Sequence, residues 1–286
     1  MRCFFVSDLH GHRHRYEALF AAIADEAPAA VFLGGDLYPS ARRSARDLYP
    51  DVQDFFHGYF LPAWRALAQR LGSAYPEVFL ILGNDDARGH EGELLLAESE
   101  GLLRYAHGRR VPVGDLEVFG YAYVPPTPFR LKDWERYDVS HYVDPGCIAP
   151  EDGMFTTEVD ECEVARRTIA ADLEEWTAGM NFANSIMLFH TPPYDTDLDR
   201  AALDGKMVDH VPLDTHIGSI ALRRFILAKG PRITLHGHVH ESASITGAWK
   251  QRLGDTWCYS AAHRGRELAL VRFDSASPET AERELL

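Results

Sequence analysis

The sequence predicts an α/β protein whose buried strands deliver polar residues at their C-terminal ends. Short apolar runs recur along the chain, at residues 1–6, 29–33, 78–82, 185–189 and 233–235. Each is followed closely by Asp, His, Asn or a glycine–carboxylate pair, and several are separated by segments of helical periodicity. Strands apolar on both faces belong to sheets covered on both sides, and open α/β sheets place their sites beyond the strand ends.

The first run ends in Ser7-Asp8-Leu9-His10-Gly11, where Asp8 and His10, two positions apart, share a side. Tyr16, Leu19, Phe20 and Ile23 then recur at helical spacing and predict a helix over 13–24. His12 and His14, at its start, are expected in solvent or behind the site. The second run is followed by Gly34-Gly35-Asp36, then by a partly helical stretch over 41–71. Its aromatics (Tyr49, Phe55, Phe56, Tyr59, Phe60 and Trp64) read as core packing rather than a binding box. The third run ends in Gly83-Asn84-Asp85-Asp86. A carboxylate after a strand is a common turn residue. Its recurrence at corresponding strand ends gives it weight.

Residues 110–120 read as a hairpin turning at Gly114-Asp115. Residues 121–153, rich in proline and aromatics, read as a long ordered loop, a candidate substrate-side lid. An amphipathic helix is expected over 159–177, with Val164, Ile169, Leu173 and Trp176 toward the core. Insertion or lid thus spans roughly 121–180 of a single domain covering 1–286. The run at 185–189 presents His190 just before Thr191-Pro192-Pro193, a break that pins its direction. A flexible surface loop is expected over 195–215, a helix over 218–228, and closing strands near 257–260 and 268–273.

The stretch Leu235-His236-Gly237-His238-Val239-His240 carries three histidines in five positions. His238 and His240 share a side, His236 alternates away and is expected to pack, and Gly237 permits a close approach. Together the strand ends offer Asp8, His10, Asp36, Asn84, His190, His238 and His240. That is more than one tetrahedral zinc takes. It suffices for two divalent ions sharing a carboxylate, and the mixed O and N donors suit Mn, Fe or Zn better than Mg or Ca.

This order resembles the calcineurin-like metallophosphoesterase family, through Asp8-Leu9-His10, Gly35-Asp36, Gly83-Asn84-Asp85-Asp86, His190 and Gly237-His238-Val239-His240. The resemblance implies a four-layer α/β/β/α sandwich around two mixed β-sheets. It places Asp8, His10 and His240 on one metal, Asn84, His190 and His238 on the other, and Asp36 between them. It further implies phosphate-ester hydrolysis by a metal-bridging hydroxide, with Asp36, Asn84, Asp85 and His190 in catalytic positions. One departure stands out: Asp85 occupies the place where the family often has a histidine thought to protonate the leaving oxygen. A carboxylate beside two cations is ionised and a poor general acid. It also lowers the positive charge of the site, which favours phosphodiesters, cyclic nucleotides among them, over phosphomonoesters. The competing placement of Asp85 is a salt bridge to Arg88. Alternative functions are a phosphomonoesterase or protein phosphatase, a nuclease, and a non-catalytic metal-binding scaffold. Tyr38, Tyr194 and His263 follow site-bearing strands and are candidate substrate contacts.

Composition narrows the field. Acidic residues outnumber basic ones 43 to 29, and the net charge of −14 argues against general nucleic-acid or anionic-membrane binding. Hydrophobic residues make up 46%, enough for a sizeable core, and no apolar run reaches the length of a membrane span. Cys3, Cys147, Cys162 and Cys258 are scattered, and Ser7-Asp8 interrupts the first apolar run too early for a signal peptide, so a cytoplasmic enzyme is expected.

Overall fold

The computed structural model describes residues 1–40 and 54–286. The chain runs through β1 (Arg2–Val6), α1 (Arg13–Glu26) and β2 (Ala30–Gly34). A π-helical turn, Phe56–Phe60, leads into α2 (Leu61–Leu71), followed by β3 (Glu77–Ile81), α3 (Glu91–Ser99) and β4 (Arg104–Tyr105). The expected hairpin is β5 (Arg110–Val113) with β6 (Leu116–Tyr121). Next come α4 (Glu161–Val164), α5 (Ile169–Trp176), β7 (Ser185–Phe189), and a small ribbon of β8 (Met207–Val208) and β9 (Val211–Pro212). The chain closes through α6 (Ile220–Lys229), β10 (Ile233–His236), α7 (Ser242–Thr246), β11 (Lys250–Leu253), β12 (Thr256–Ser260), β13 (Ala269–Asp274) and β14 (Ser277–Leu285).

Two mixed sheets result, ordered β14-β13-β1-β2-β3-β4 and β11-β12-β10-β7-β6-β5. In the first, parallel β1 to β4 are continued on one side by antiparallel β13 and β14. In the second, a parallel centre of β12, β10, β7 and β6 is flanked by antiparallel β11 and β5. The sheets face each other through residues such as Tyr259 and Phe273, whose ring centroids are 5.5 Å apart. On the outside of the first sheet, α1 meets α2 through Phe20 and Trp64 at 4.9 Å. Outside the second, Trp176 of α5 lies 5.5 Å from Tyr121 of β6, and Phe225 of α6 lies 6.1 Å from Phe189 of β7. This is the four-layer α/β/β/α arrangement. It explains why β2 and β7 are buried along their whole length: helices cover one face and the partner sheet the other. Among the described residues no helix is long and apolar enough to cross a membrane.

The aromatics Phe55, Phe56, Phe60 and Trp64 are buried and Tyr59 packs beside them, as the packing reading expected. Tyr49 lies outside the described residues. Three expectations are corrected. The helix expected over 159–177 is broken into α4 and α5. The Ile169 N–H donates to Tyr137 O at 2.7 Å instead of continuing a helix, and Thr168 Oγ1 caps α5. Val164 is consequently only half-buried, while Ile169 and Leu173 reach the core. The 195–215 segment is an organised loop, because buried Asp199 accepts from the N–H groups of Asp195, Thr196 and Gly218 and pairs with His216. Strands β4, β11 and β14 escaped the apolar pattern. In β14 only Ala281 is buried, as suits a polar edge strand.

Residues 121–153 are irregular yet anchored. Asp138 accepts from Ser219 Oγ and from Ile220 N–H at 2.7 Å, at the N-terminus of α6. Buried Lys132 and Glu135 pair with each other and with Thr127. His107 holds the base of this segment, ringed by Trp134, Tyr123 and Trp176 at 4.9–5.6 Å. Its Nδ1 accepts the Ala122 N–H at 3.0 Å, so the ring is neutral. Burial, with Arg88 and Arg136 nearby, pushes its pKa down to about 3. The unfolded ring, at about 6.5, takes up a proton that the native ring refuses. The contribution is therefore complete above about pH 6.5 and is lost progressively as pH falls toward 3. We predict that His107→Gln flattens the acid side of the stability profile by about 1.4 kcal/mol per pH unit between pH 6 and 4. Urea unfolding at pH 7, 5.5 and 4.5 checks this, and parallel profiles for native and variant protein would contradict it.

Candidate metal centre

The C-terminal ends of β1, β2, β3, β7 and β10 meet at one place, and their turns are laced together. The Asp8 N–H donates to Gly35 O (3.0 Å), His10 N–H to Asp36 O (2.8 Å) and Gly237 N–H to His190 O (2.8 Å). Two further bonds cross between the sheets: His238 N–H donates to Asp8 Oδ1 at 3.0 Å, and His190 Nδ1 lies 2.7 Å from Gly34 O.

Around this lacing the predicted donors converge. His240 Nε2 lies 3.1 Å from Asp8 Oδ1 and 3.3 Å from His10 Nε2. Asp36 sits in the middle, with Oδ2 3.7 Å from His10 Nε2 and Oδ1 3.4 Å from His190 Nε2. Asn84 Oδ1 is 3.1 Å from His190 Nε2, and the His238 ring centroid is 5.2 Å from that of His190. All seven predicted residues are thus brought together. Asp8, His10, Asp36 and His240 each offer an atom within 4.8 Å of the others.

The local backbone is unusual. Asp8, His10, Asp36 and His238 all adopt positive φ, between 46° and 71°. Left-handed backbone is uncommon for residues with a Cβ, and strain of this kind gathers where a function requires it. Close approach matters as much. A Cβ on Gly237 would lie 2.0 Å from Ser7 Oγ and 2.6 Å from Asp8 Oδ2, and one on Gly83 would lie 2.3 Å from Asp36 Oδ1.

The donor set fits divalent cations, and the imidazoles are aimed accordingly. His190 gives Nδ1 to a backbone carbonyl and His10 gives Nδ1 to Asp85 Oδ2 at 3.4 Å, leaving both Nε2 atoms facing the cluster. Orientation of a ligand ring through its other nitrogen is the usual support in such sites. Electrostatics agree. Burial alone would raise Asp8, but His240, His190 and His10 hold it far below the usual carboxylate range. Against the same burial, His190 and His10 hold Asp36 at about 2. Burial would lower His10, yet Asp85, Asp36 and Asp8 raise it to about 9; Asp36 and Asp8 do the same for His190. Cations would serve these carboxylates in place of protons.

A family model of the calcineurin-like phosphoesterases matches residues 1–242, which include all seven donors. The chain belongs to the calcineurin-like phosphoesterase family. It is accordingly a metal-dependent phosphoester hydrolase by family. Among solved structures, TT1561 of Thermus thermophilus is 18% identical, with a TM-score of 0.58 and coverage of 99% of this chain and 98% of that one. An archaeal phosphodiesterase is 10% identical over the full length of both chains, with a TM-score of 0.46. No curated protein matches the sequence significantly.

Within this phosphoesterase site the remaining candidates separate. Asp85 faces the cluster: its N–H donates to Asp36 Oδ1 at 2.9 Å and its carboxylate meets His10. The alternative partner, Arg88, instead bonds Asp133 O and Tyr123 Oη and lies 4.4 Å over Trp134. His236 is packed, between Thr191 O (2.9 Å) and Thr234 Oγ1 (2.8 Å), and burial lowers its pKa to about 4. Tyr38 is corrected: it is 2% exposed and stacks on His90 at 3.9 Å, so it belongs to the core. Tyr194 lines the cleft that opens from the cluster, bonded to Asp214 at 2.7 Å, whereas His263 lies outside it in a smaller adjoining pocket, 3.2 Å from Glu267.

Two supports went unnoticed in the sequence. Asp86 is fully buried and accepts from Leu37, Tyr38 and Gly83 N–H groups, tying the β2 and β3 turns together. Burial and the neighbouring Asp36 push it up to about 7. Arg15 is buried beneath Asp8, and its guanidinium donates to Asp8 O, Gly265 O and Arg266 O. The signal for Arg15 was available: a charge four residues before Leu19, on the buried stripe of α1.

A cleft of about 1140 Å³ opens from the cluster, with His10, Asp36, Asn84, Asp85, His238 and His240 at its floor. Its walls come from residues 125–147 and 194–217. We predict that Gly237→Ala keeps the fold but weakens metal affinity at least about tenfold, because the added Cβ displaces Asp8. Circular dichroism with metal analysis after dialysis checks this, and native metal content in the variant would refute it.

Proposed function

We propose that the protein is a phosphodiesterase whose two divalent cations, Mn, Fe or Zn, are held by Asp8, His10, Asp36, Asn84, His190, His238 and His240. Asp8, His10 and His240 serve one cation, Asn84, His190 and His238 the other, and Asp36 both. Bound there, such cations supply Lewis acidity toward a phosphoryl oxygen and make water a nucleophile near neutral pH. The protein's own part is to fix the donors in a buried, laced site and to present the ester between them. A cytoplasmic setting belongs to the same reading, consistent with four cysteines that are all unpaired.

The observation that carries the diester reading is the position of Asp85. Two divalent cations with Asp8 and Asp36 leave a formal charge of roughly +2, and Asp85 brings it to roughly +1. A singly charged diester suits that field better than a dianionic monoester. An ionised carboxylate here also offers no proton to the leaving oxygen, which a general acid would accelerate by about 10²–10⁴. Asp85 instead fixes the His10 ring. Substrates with good leaving groups, or strained cyclic diesters such as cyclic nucleotides, then fit the site. The cleft, with Phe129, Leu131, Met154, Val211 and Ile217 on its walls, has room for a bulky apolar substituent.

The test is hydrolysis of bis(p-nitrophenyl) phosphate against p-nitrophenyl phosphate with Mn²⁺. Diester turnover is expected to exceed monoester turnover and to fall at least about a hundredfold in Asp36→Asn. Asp85→His is expected to shift the diester-to-monoester ratio about tenfold or more toward the monoester. A ratio unmoved by that substitution would remove the basis of the diester reading.

A further inference from the structure

A second, smaller pocket of about 410 Å³ adjoins the cluster on the side of α1, and it shares His10 and His240 with the main cleft. Those two donors therefore stand on the boundary between two cavities of opposite character. The large one is walled mainly by apolar side chains. The small one is lined by His12 and His14 at the start of α1 and by Arg264 and Arg266 on the loop after β12.

In a chain of net charge −14 this concentration of positive charge is conspicuous. Arg264 and Arg266 are exposed and form no ion pair among the described residues; the loop's carboxylate, Glu267, pairs with His263. No acidic residue occupies the first turn of α1, so its positive dipole end adds to the same field. The loop is also fixed relative to the metal ligands. Arg15 carries its charge into the interior and spends its donors on the carbonyls of Asp8, Gly265 and Arg266. His14 Nε2 bonds Arg266 O at 2.8 Å. A buried arginine carries a desolvation penalty, and here it holds the arginine-bearing loop against the strand end that carries Asp8.

We propose that this pocket is an anion subsite that receives a second phosphate of the substrate, on the side of the reacting phosphorus opposite the apolar cleft. The inference rests on the phosphodiesterase reading and deepens it: the substrate joins a bulky group to a phosphate-bearing one. Arg264 and Arg266 bind that phosphate, so they determine specificity without touching the reacting atoms.

Binding of inorganic phosphate to the metal-free protein, followed by ³¹P line broadening, reads the subsite without hydrolysis. The dissociation constant is expected to weaken about tenfold or more in Arg264→Ala/Arg266→Ala and to be largely kept in Arg264→Lys/Arg266→Lys. Equal binding by native protein and the alanine pair overturns the inference. The Mn²⁺-loaded protein is then given the p-nitrophenyl ester of thymidine 5′-phosphate, with and without a phosphate on O3′. The added phosphate is expected to lower KM about tenfold, an advantage that the alanine pair erases. A native KM indifferent to it overturns the inference. Arginine-dependent phosphate binding with neither ester hydrolysed would sink the phosphodiesterase reading and leave the anion subsite standing.

Discussion

The site is governed by two carboxylates, Asp8 and Asp36, buried side by side at the ends of neighbouring parallel strands. An uncompensated buried charge costs several kcal/mol, so the surroundings must supply positive charge or donors. The imidazoles of His190 and His240, from the other half of the chain, answer that need together with His10, and His238 adds its backbone N–H. The sheets are thereby held together at this end by electrostatics as well as by packing. His238 N–H bonds Asp8 and His190 bonds Gly34, so the contact that balances the charges also sets the register of one sheet on the other. Cations arriving at such a site find carboxylates already deprived of water and rings already aimed.

The same constraint accounts for the backbone. Four of the seven donors adopt positive φ, which extended strands would not require. The chain must turn sharply as it leaves each strand if two side chains a couple of residues apart are to face one point. Gly237 and Gly83 leave the space that those turns occupy. Asp86 and Arg15 hold them from behind, one by accepting N–H groups and the other by donating to carbonyls. Both are ionisable residues buried for the sake of backbone groups. A local site of this kind depends on long-range assembly: its donors span residues 8 to 240.

What could be read beforehand follows from the same physics. Strands buried on both faces announce themselves by composition, so the central strands and the donors at their ends were legible in sequence. The family pattern supplied the two-sheet, four-layer arrangement. Edge strands such as β14 carry no apolar signature, and their pairing is known only once β13 is in place. The break between α4 and α5 was hidden because Tyr137, distant in sequence, takes the N–H of Ile169. Between Asp85 and Asp86, adjacent and chemically identical, nothing local says which faces the cluster. Only the folded turn assigns the first to His10 and the second to backbone amides.

Overall charge and local charge point in opposite directions here, and distance decides between them. At physiological ionic strength, exposed charges farther away than about 8 Å are largely screened. A small ester that reaches the cluster therefore responds to the ligands, the cations they hold and the nearby arginines, rather than to the whole surface. A long nucleic acid touches far more of the protein and meets its acidic residues along the way. Under the proposed function, the combination of a net charge of −14 with positive side chains gathered beside Asp8 and His10 would select for size. It would admit compact phosphate esters while disfavouring extended polyanions, without a single residue dedicated to excluding them.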